Sequence, residues 1–491
     1  MELETRMPSV SLITLGCAKN EVDSNRMHAC LAASGLDVVD DPNGADIIIV
    51  NTCSFITEAT EEALELIFEL LSCESFEQGK TKLVVAGCMP SRYGEALSAE
   101  LPEVAAFVPA ADEDKIAEVC WELLGLASAT ESSAAGATES AAKSSVAPQR
   151  LIAEPWAYVK ISEGCSRSCA YCTIPSIRGP YRSFSYDEIA AEITELVSQG
   201  AHEIVLIGQD TGIWGSDFEE LQTTSSTSSP VSPASSASPQ STSPRNLAEL
   251  IDVLALQHPQ VWFRIMYLQP QGITDELLAT IARHNNICDY LDIPLQHANA
   301  RVLKDMNRAG SGAEHRVLLE RVRKALPNVT LRTTLIAGFP GEKRSDAQEL
   351  KDFVLETEFD YVGAFAYSQE DGTAAGARSD QVASHTKHAR LQRLRDAADE
   401  VGFARAALQL GREVDVLVCG VDEEGVYGRT QGQAPEVDGI VYITEPDDAG
   451  EVAGGNAATE AEPDAKKILD KGFVRVRIVD VQCYDLYGEV I

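Results

Sequence analysis

The chain has 491 residues, a formal net charge of −36, 44% apolar and 24% charged residues. That length allows about two to four domains, and the composition is that of a globular protein, with no apolar run long enough to span a membrane. The acidic balance argues against binding that rests on nucleic-acid phosphates. The start, MELETRMPSV, has no apolar leader core, so a cytoplasmic location and reduced thiols are expected, and the twelve cysteines are candidates for metal ligation, not bridges.

Residues 10 to 125 alternate between apolar runs and helical patterns. SLITLG (11–16), DIIIVN (46–51) and KLVVAG (82–87) predict strands, and 58–71 and 114–124 predict helices. Continuous apolar strands separated by helices predict a parallel sheet covered on both faces, an α/β domain over residues 8–126. Each strand runs into a cysteine: Cys17, Cys53 and Cys88, at gaps of 36 and 35 residues. Those gaps are about one βαβ repeat. Right-handed crossovers bring such positions together at the carboxyl edge of the sheet, where α/β folds bind ligands. Small cysteines also pack at strand ends, but three in equivalent positions favour a three-thiolate cluster site. Cys30, Cys73 and Cys120 fall in helical stretches; with the isolated Cys288, Cys419 and Cys483 they read as packing residues.

Three stretches are too poor in large apolar residues to pack: a linker at 127–147, an insert of Ser, Thr and Pro at 223–244, and an acidic insert at 447–464. The central domain, 148–400, carries strand patterns at 157–162, 203–208, 262–268, 290–296, 331–339 and 360–368 with helical stretches between them, for example 187–198 and 345–356, and a long helix over 385–410. Six βα units predict a partial (βα)6 barrel, two units short of a closed one. After its first strand comes ISEGCSRSCAYCT (161–173), with Cys165, Cys169 and Cys172 spaced C-x-x-x-C-x-x-C and Tyr171 before the last. Three thiols within one loop can wrap a single centre. They are one short of the four that closed iron–sulfur and structural zinc sites use, which suggests one open iron; unrelated thiols or part of a zinc knuckle are the bland alternatives. From residue 411 to 491, short runs separated by Gly and Asp-Gly turns predict a small antiparallel β-barrel. It holds seven Lys and Arg against eighteen Asp and Glu, a balance of −11, with Asp422, Glu423 and Glu424 together and Glu436 and Asp438 close behind.

The cysteine loop resembles that of the radical S-adenosylmethionine (SAM) enzymes. The whole order, LGCAKNEVDS (15–24), NTCSFI (51–56), SEGCSRSCAYCTIPSIRGPYRS (162–183), LDIPLQH (291–297), AGFPGE (337–342) and DEEGVYGRTQGQAPEVDG (422–439), resembles the radical SAM methylthiotransferases. Within them it is closest to the branch that modifies an aspartate of small-subunit ribosomal protein twelve. Ser54 stands where the family usually has Gly, FSYDE (184–188) where Pro is usual, and Gln269-Pro270 where an aromatic-Pro pair is usual. The resemblance implies a terminal barrel of the TRAM type and two 4Fe–4S clusters, one on Cys17, Cys53 and Cys88 and one on Cys165, Cys169 and Cys172. It implies two SAM molecules: one methylates a sulfur held on the first cluster, and the other yields, at the second, the radical that takes hydrogen from the aspartate β-carbon. A flavodoxin-like protein would supply electrons. Tyr171, Gln209, Arg332, Gly338 and Gly341 are candidate SAM contacts; no catalytic side chain is assigned. Gly338 and Gly341 equally suit a plain turn, while Gln209, Asp210, Arg332 and His297 equally suit structural roles. A tRNA-modifying methylthiotransferase and a non-enzymatic iron–sulfur protein with an RNA-binding barrel are the rivals. The acidic barrel argues for a basic ribosomal protein as partner and against tRNA.

Overall fold

The computed structural model describes residues 6–125, 150, 152–218, 243–444, 468 and 471–491. The expected linker at 127–147, the insert at 223–244 up to residue 242, and the acidic insert at 447–464 lie outside the described residues. Contacts divide the chain into two units. The first comprises Met1–Leu151, Glu163–Tyr181 and Ser368–Gly376; the second comprises Ile152–Ser162, Arg182–Tyr367 and Ala377–Ile491. The cysteine loop thus falls with the first unit and the terminal barrel with the second. Among the described residues no helix is long and apolar enough to cross a membrane.

The first unit is built on five parallel strands, β1 (Ser9–Thr14), β2 (Asp37–Val38), β3 (Ile47–Thr52), β4 (Lys82–Gly87) and β5 (Ala106–Pro109), in the order β2-β1-β3-β4-β5. β2 and β5 are additions to the three strands expected. Their two and four residues are too short to leave an apolar pattern. The period of two along β3 explains its run of isoleucines. Ile47 and Ile49 pack with Met27 and Leu31 of helix α1 (Ala18–Ala33), while Ile48 and Val50 pack with Ala63 and Ile67 of α2 (Thr57–Leu71). Two shorter helices complete the part that matters here, α3 (Cys88–Tyr93) and α4 (Ile116–Leu124).

The second unit carries six strands, β6 (Trp156–Lys160), β7 (Glu203–Ile207), β8 (Trp262–Ile265), β9 (Ile287–Asp292), β10 (Thr330–Ala337) and β11 (Tyr361–Ala366), in the order β11-β10-β9-β8-β7-β6. All neighbours are parallel. Helices that start on side-chain caps follow the strands, as at Ser185, whose hydroxyl and Glu188 form a capping box for α5 (Tyr186–Ser198). The fourth strand begins three residues earlier than its sequence pattern and stops at Asp292. Pro294 has no N–H to donate, and beyond it the pairing is reduced to a lone bridge between Gln296 and Leu335.

The terminal strands β12 (Glu413–Val421), β13 (Val426–Arg429), β14 (Val441–Thr444), β15 (Phe473–Gln482) and β16 (Asp485–Val490) close into a barrel in the order β12-β13-β14-β16-β15. It is not wholly antiparallel as expected: β14 and β16 run parallel. Val416, Val441, Ile443, Val476 and Ile478 fill it. Polar ties hold it to the central sheet within the same unit. Glu203 bridges Arg264 of β8 and Arg429 of β13, each at 2.7 Å and all three buried. Tyr290 donates to Asp438 at 2.7 Å, and Tyr158 to Glu436 at 3.0 Å. Asp438 therefore faces the central strands and is not part of an acidic outer surface, whereas Glu436, though it accepts from Tyr158, stays exposed. On α6 (Ser384–Ala407), Gly402 lies under Tyr484, whose ring a β-carbon there would meet at 2.5 Å.

Candidate functional site

Cys17 precedes α1, Cys53 follows β3 directly and Cys88 opens α3 after β4. β1, β3 and β4 are consecutive in the sheet, so the three thiols leave its carboxyl edge side by side. Their approach is close: at Gly16, with φ +110°, a β-carbon would stand 2.5 Å from Cβ and 3.3 Å from Sγ of Cys53. Asn20, fully buried on the first turn of α1, sits among them. Its Oδ1 lies 3.6 Å from the Cys17 sulfur and 3.9 Å from the Cys88 sulfur, and its amide donates to the Thr52 carbonyl at 2.9 Å.

Cys165, Cys169 and Cys172 lie in the same unit, on the loop Glu163–Tyr181. That loop is folded on itself. The Cys165 amide donates to the Gly179 carbonyl, the Cys172 amide to the Cys169 carbonyl, both at 3.1 Å, and the Arg167 amide to the Cys165 sulfur at 3.5 Å. Gly164, at φ +75°, leaves no space for a side chain, since the Pro180 carbonyl would be 2.2 Å from it. Two contacts tie the loop to its surroundings in the unit. Thr173 donates to the carbonyl of Phe55, two residues past Cys53, and Ala375 donates to the carbonyl of Ala170. The strap bearing Ala375 is itself anchored by the buried carboxylate of Glu370, which accepts from Arg92 of α3 at 2.7 Å and from the Thr57 amide of α2 at 2.8 Å. Burial pushes Glu370 up, yet the hydrogen bonds from Ser368, Arg92 and Thr57 outweigh it and hold this carboxyl below the ordinary range.

Whether these donors suit iron–sulfur clusters can be judged from their chemistry. Among the described residues no three His, Cys, Asp or Glu side chains gather tightly enough to hold one metal ion. Cluster thiolates each bind a different iron and must stand apart, so two sets of three thiols suit a cluster better than a single ion. Burial pushes the Cys88 thiol up to about 12, against the pull of the Arg178 cation, and raises Cys53 as well. Such thiols surrender their protons to a strongly cationic partner, which iron is. Arg178 does not stand out in the sequence, although it lies in the quoted stretch RGPYRS. It donates to Asp23 at 2.6 Å, to Asn20 at 3.2 Å and to the sulfur of Cys88 at 3.3 Å.

The remaining candidates are less uniform. Tyr171 is half-buried within the cysteine loop, and Gln209 follows β7, half-buried beside the buried Asp210. Arg332 is held by Asp292 at 2.9 Å and lies 3.6 Å from Asp438, so its guanidinium serves the tie to the barrel and is not open to a ligand carboxylate. Gly338 and Gly341 both have positive φ, and both are accounted for by packing. A β-carbon on the first would meet Lys387 at 2.3 Å and on the second Asp380 at 2.6 Å. Glu342 accepts from the Gly338 amide at 2.7 Å and pins this turn. His297 is structural, its Nδ1 accepting from the amides of Ala298 and Asn299. Cys120 and Cys288 are buried as expected, but Cys73 and Cys483 are exposed. Cys73 precedes a helical turn instead of lying within a helix, and Cys483 sits at φ +57° in the turn between β15 and β16.

Family models match the chain in three consecutive stretches: the Uncharacterized protein family UPF0004 at residues 9–109, the Radical SAM superfamily at 159–354 and the TRAM domain at 410–491. Among solved structures, the radical S-adenosylmethionine methyltransferase TsrM from Kitasatospora setae superposes with a TM-score of 0.51 at 13% identity, over 75% of this chain and 77% of that one, a likeness of fold. A six-stranded parallel sheet whose first strand leads into a loop of three cysteines, within that match, defines a radical SAM enzyme. The chain is 39% identical to the ribosomal protein uS12 methylthiotransferase RimO of Trichlorobacter lovleyi, over 98% of each, and 40% identical to that of Geotalea uraniireducens, again over 98% of each. That of Moorella thermoacetica is 39% identical over 89% of this chain and 93% of the relative. The chain belongs to the RimO family of methylthiotransferases.

Proposed function

We propose that this protein transfers a methylthio group to the β-carbon of an aspartate in ribosomal protein uS12. The observation that carries the reading is the gathering of two separate three-thiol sets in one unit, each set with a backbone that excludes side chains beside it. Cys165, Cys169 and Cys172 would hold the cluster that binds SAM through its open iron, and Cys17, Cys53 and Cys88 the auxiliary cluster. When bound, these groups supply one-electron cleavage of SAM and the sulfur to be transferred. The chain's own part is to fix the thiols. Asn20 and Thr52 shape the first set, and Gly164, Gly179 and Ala375 shape the second. Tyr171, Gln209 and the turn at Gly338 and Gly341 stand as candidate SAM contacts; Arg332 is left out because Asp292 and Asp438 already hold it. The electron donor is of the flavodoxin type, the compartment the cytoplasm, and tRNA is not a substrate.

The test is anaerobic reconstitution of the full chain with SAM, dithionite and uS12. Expected products are 5′-deoxyadenosine and methylthio-aspartate. Replacing Cys165, Cys169 and Cys172 by Ala abolishes both. Replacing Cys17, Cys53 and Cys88 leaves 5′-deoxyadenosine and stops the transfer. Full iron content in either triple variant would overturn the ligand assignment, and methylthioadenosine in tRNA with unmodified uS12 would overturn the substrate.

A further inference from the structure

Arg178 lies six residues past Cys172, yet its guanidinium ends on the other cysteine set. Its side chain is 3% exposed. Nη1 is fixed by Asp23 at 2.6 Å, with Glu163 at 3.6 Å. This leaves the Nη2 edge pointing at two acceptors, Asn20 Oδ1 at 3.2 Å and Cys88 Sγ at 3.3 Å. A planar fork anchored on one side by a carboxylate is a rigid donor on the other. A buried cation is costly, and Asp23 with Glu163 would neutralise it without any sulfur; the approach to Cys88 is therefore more than charge balance.

We propose that Arg178 is a tuning and positioning residue for the auxiliary cluster, donating an N–H···S hydrogen bond to its Cys88 ligand from the loop that bears the other cluster's ligands. This rests on the reading of Cys17, Cys53 and Cys88 as ligands. Hydrogen bonds and positive charge at a ligand sulfur stabilise the more electron-rich state of a cluster, so Arg178 raises the reduction potential of this one. Because the same residue belongs to Glu163–Tyr181, a shift of that loop also alters the environment of Cys88. The two cysteine sets are thereby linked through one side chain.

The experiment uses the full-length variant with Cys165, Cys169 and Cys172 replaced by Ala, so that only the auxiliary cluster is present. Iron content is measured first, and an iron-free parent would overturn the ligand reading and this proposal with it. The midpoint potential is then followed by EPR-monitored titration in the parent, in Arg178→Gln and in Arg178→Lys. A more negative midpoint in the Gln variant at full iron content is expected, with the Lys variant between the two. An unchanged midpoint at full iron content would overturn the proposal, because a merely structural arginine alters cluster loading and not potential. Should the Gln variant lose its cluster, the parent itself decides. Labelled with 15N-arginine and reduced, it should show a weak 15N coupling by pulsed EPR, and absence of that coupling would overturn the assignment.

Discussion

Gly16 stands where Cys53 leaves it no room: a β-carbon there would lie 2.5 Å from that of Cys53, and φ is +110°. Gly16→Ala should therefore push β1 and β3 apart at the point where their cysteines meet, at a strain of about 1–3 kcal/mol. The expected outcome is loss of iron toward the level of the variant lacking Cys17, Cys53 and Cys88, with the other cluster retained. Full iron binding in Gly16→Ala would mean that this approach is not needed. Asp438 makes a different kind of prediction. Burial raises its carboxyl to about 6, against the attraction of Arg332 and the hydrogen bonds from Ala434 and Tyr290. A carboxyl whose folded value lies above its unfolded one binds a proton more tightly when folded. Its stabilising contribution is present below about pH 4 and is lost as pH rises through about 6, on the order of 2–3 kcal/mol. The wild-type protein should thus lose stability relative to Asp438→Asn between pH 4 and 7 in denaturant unfolding. Parallel pH curves for the two proteins would show that Asp438 does not titrate in this way.

At the scale of elements, the attachment of the terminal barrel to the central sheet rests on charges inside strands. Glu203 opens β7 and is the carboxylate shared by Arg264 and Arg429, and Arg264 also donates to the carbonyls of Gln431 and Thr430 and lies over the Tyr290 ring. Glu203→Gln leaves two buried arginines without a counter-charge, a loss of about 3–5 kcal/mol. Denaturant unfolding of the second unit measures it, and a loss under about 1 kcal/mol would mean that the guanidiniums are held by the carbonyls alone. These charges mark the limit of sequence reading. The three cysteine-bearing strands and the six central ones are visible because continuous apolar runs report a sheet buried on both faces. The six thiols are visible because each set has regular spacing. Glu203, Arg264 and Arg332 break those runs, but their partners at 429–438 lie far along the chain, so the docking is not written locally. Arg178 is hidden for the same reason: Asp23 and Cys88 are 155 and 90 residues from it. Residues 290–296 misled because an apolar run continues past a proline that the ladder cannot cross.

Charge dominates the behaviour of the whole molecule, at −36 overall. Only part of the barrel's acidity is available to a partner. Asp438 is turned toward the central strands, and Glu413 and Asp415 are paired with Arg477 and Arg475. Among the described residues Glu436, Asp480 and Glu489 are exposed singly, and the densest outward group is the turn between β12 and β13, where Asp422, Glu423 and Glu424 are all exposed. Asp422 builds that turn, its carboxylate accepting from the amides of Glu424 and Gly425, so it is not a neutral place to reverse charge. The side chains of Glu423 and Glu424 have no such duty among the described contacts and suit the test. A basic substrate protein approaching this surface gains chiefly in encounter rate, and the gain is screened as salt rises. Glu423→Lys with Glu424→Lys should therefore slow uS12 modification roughly tenfold at low salt, mostly in kcat/KM, and the difference from wild type should shrink as salt is added. The yield of 5′-deoxyadenosine without uS12 should be unchanged, since neither residue belongs to a cysteine set. Equal rates for the double variant and wild type at low salt would remove this turn from substrate capture. Faster binding of tRNA by the double variant would show only that phosphate is no longer repelled, whereas tight tRNA binding by the wild-type protein would contradict the role given to its charge.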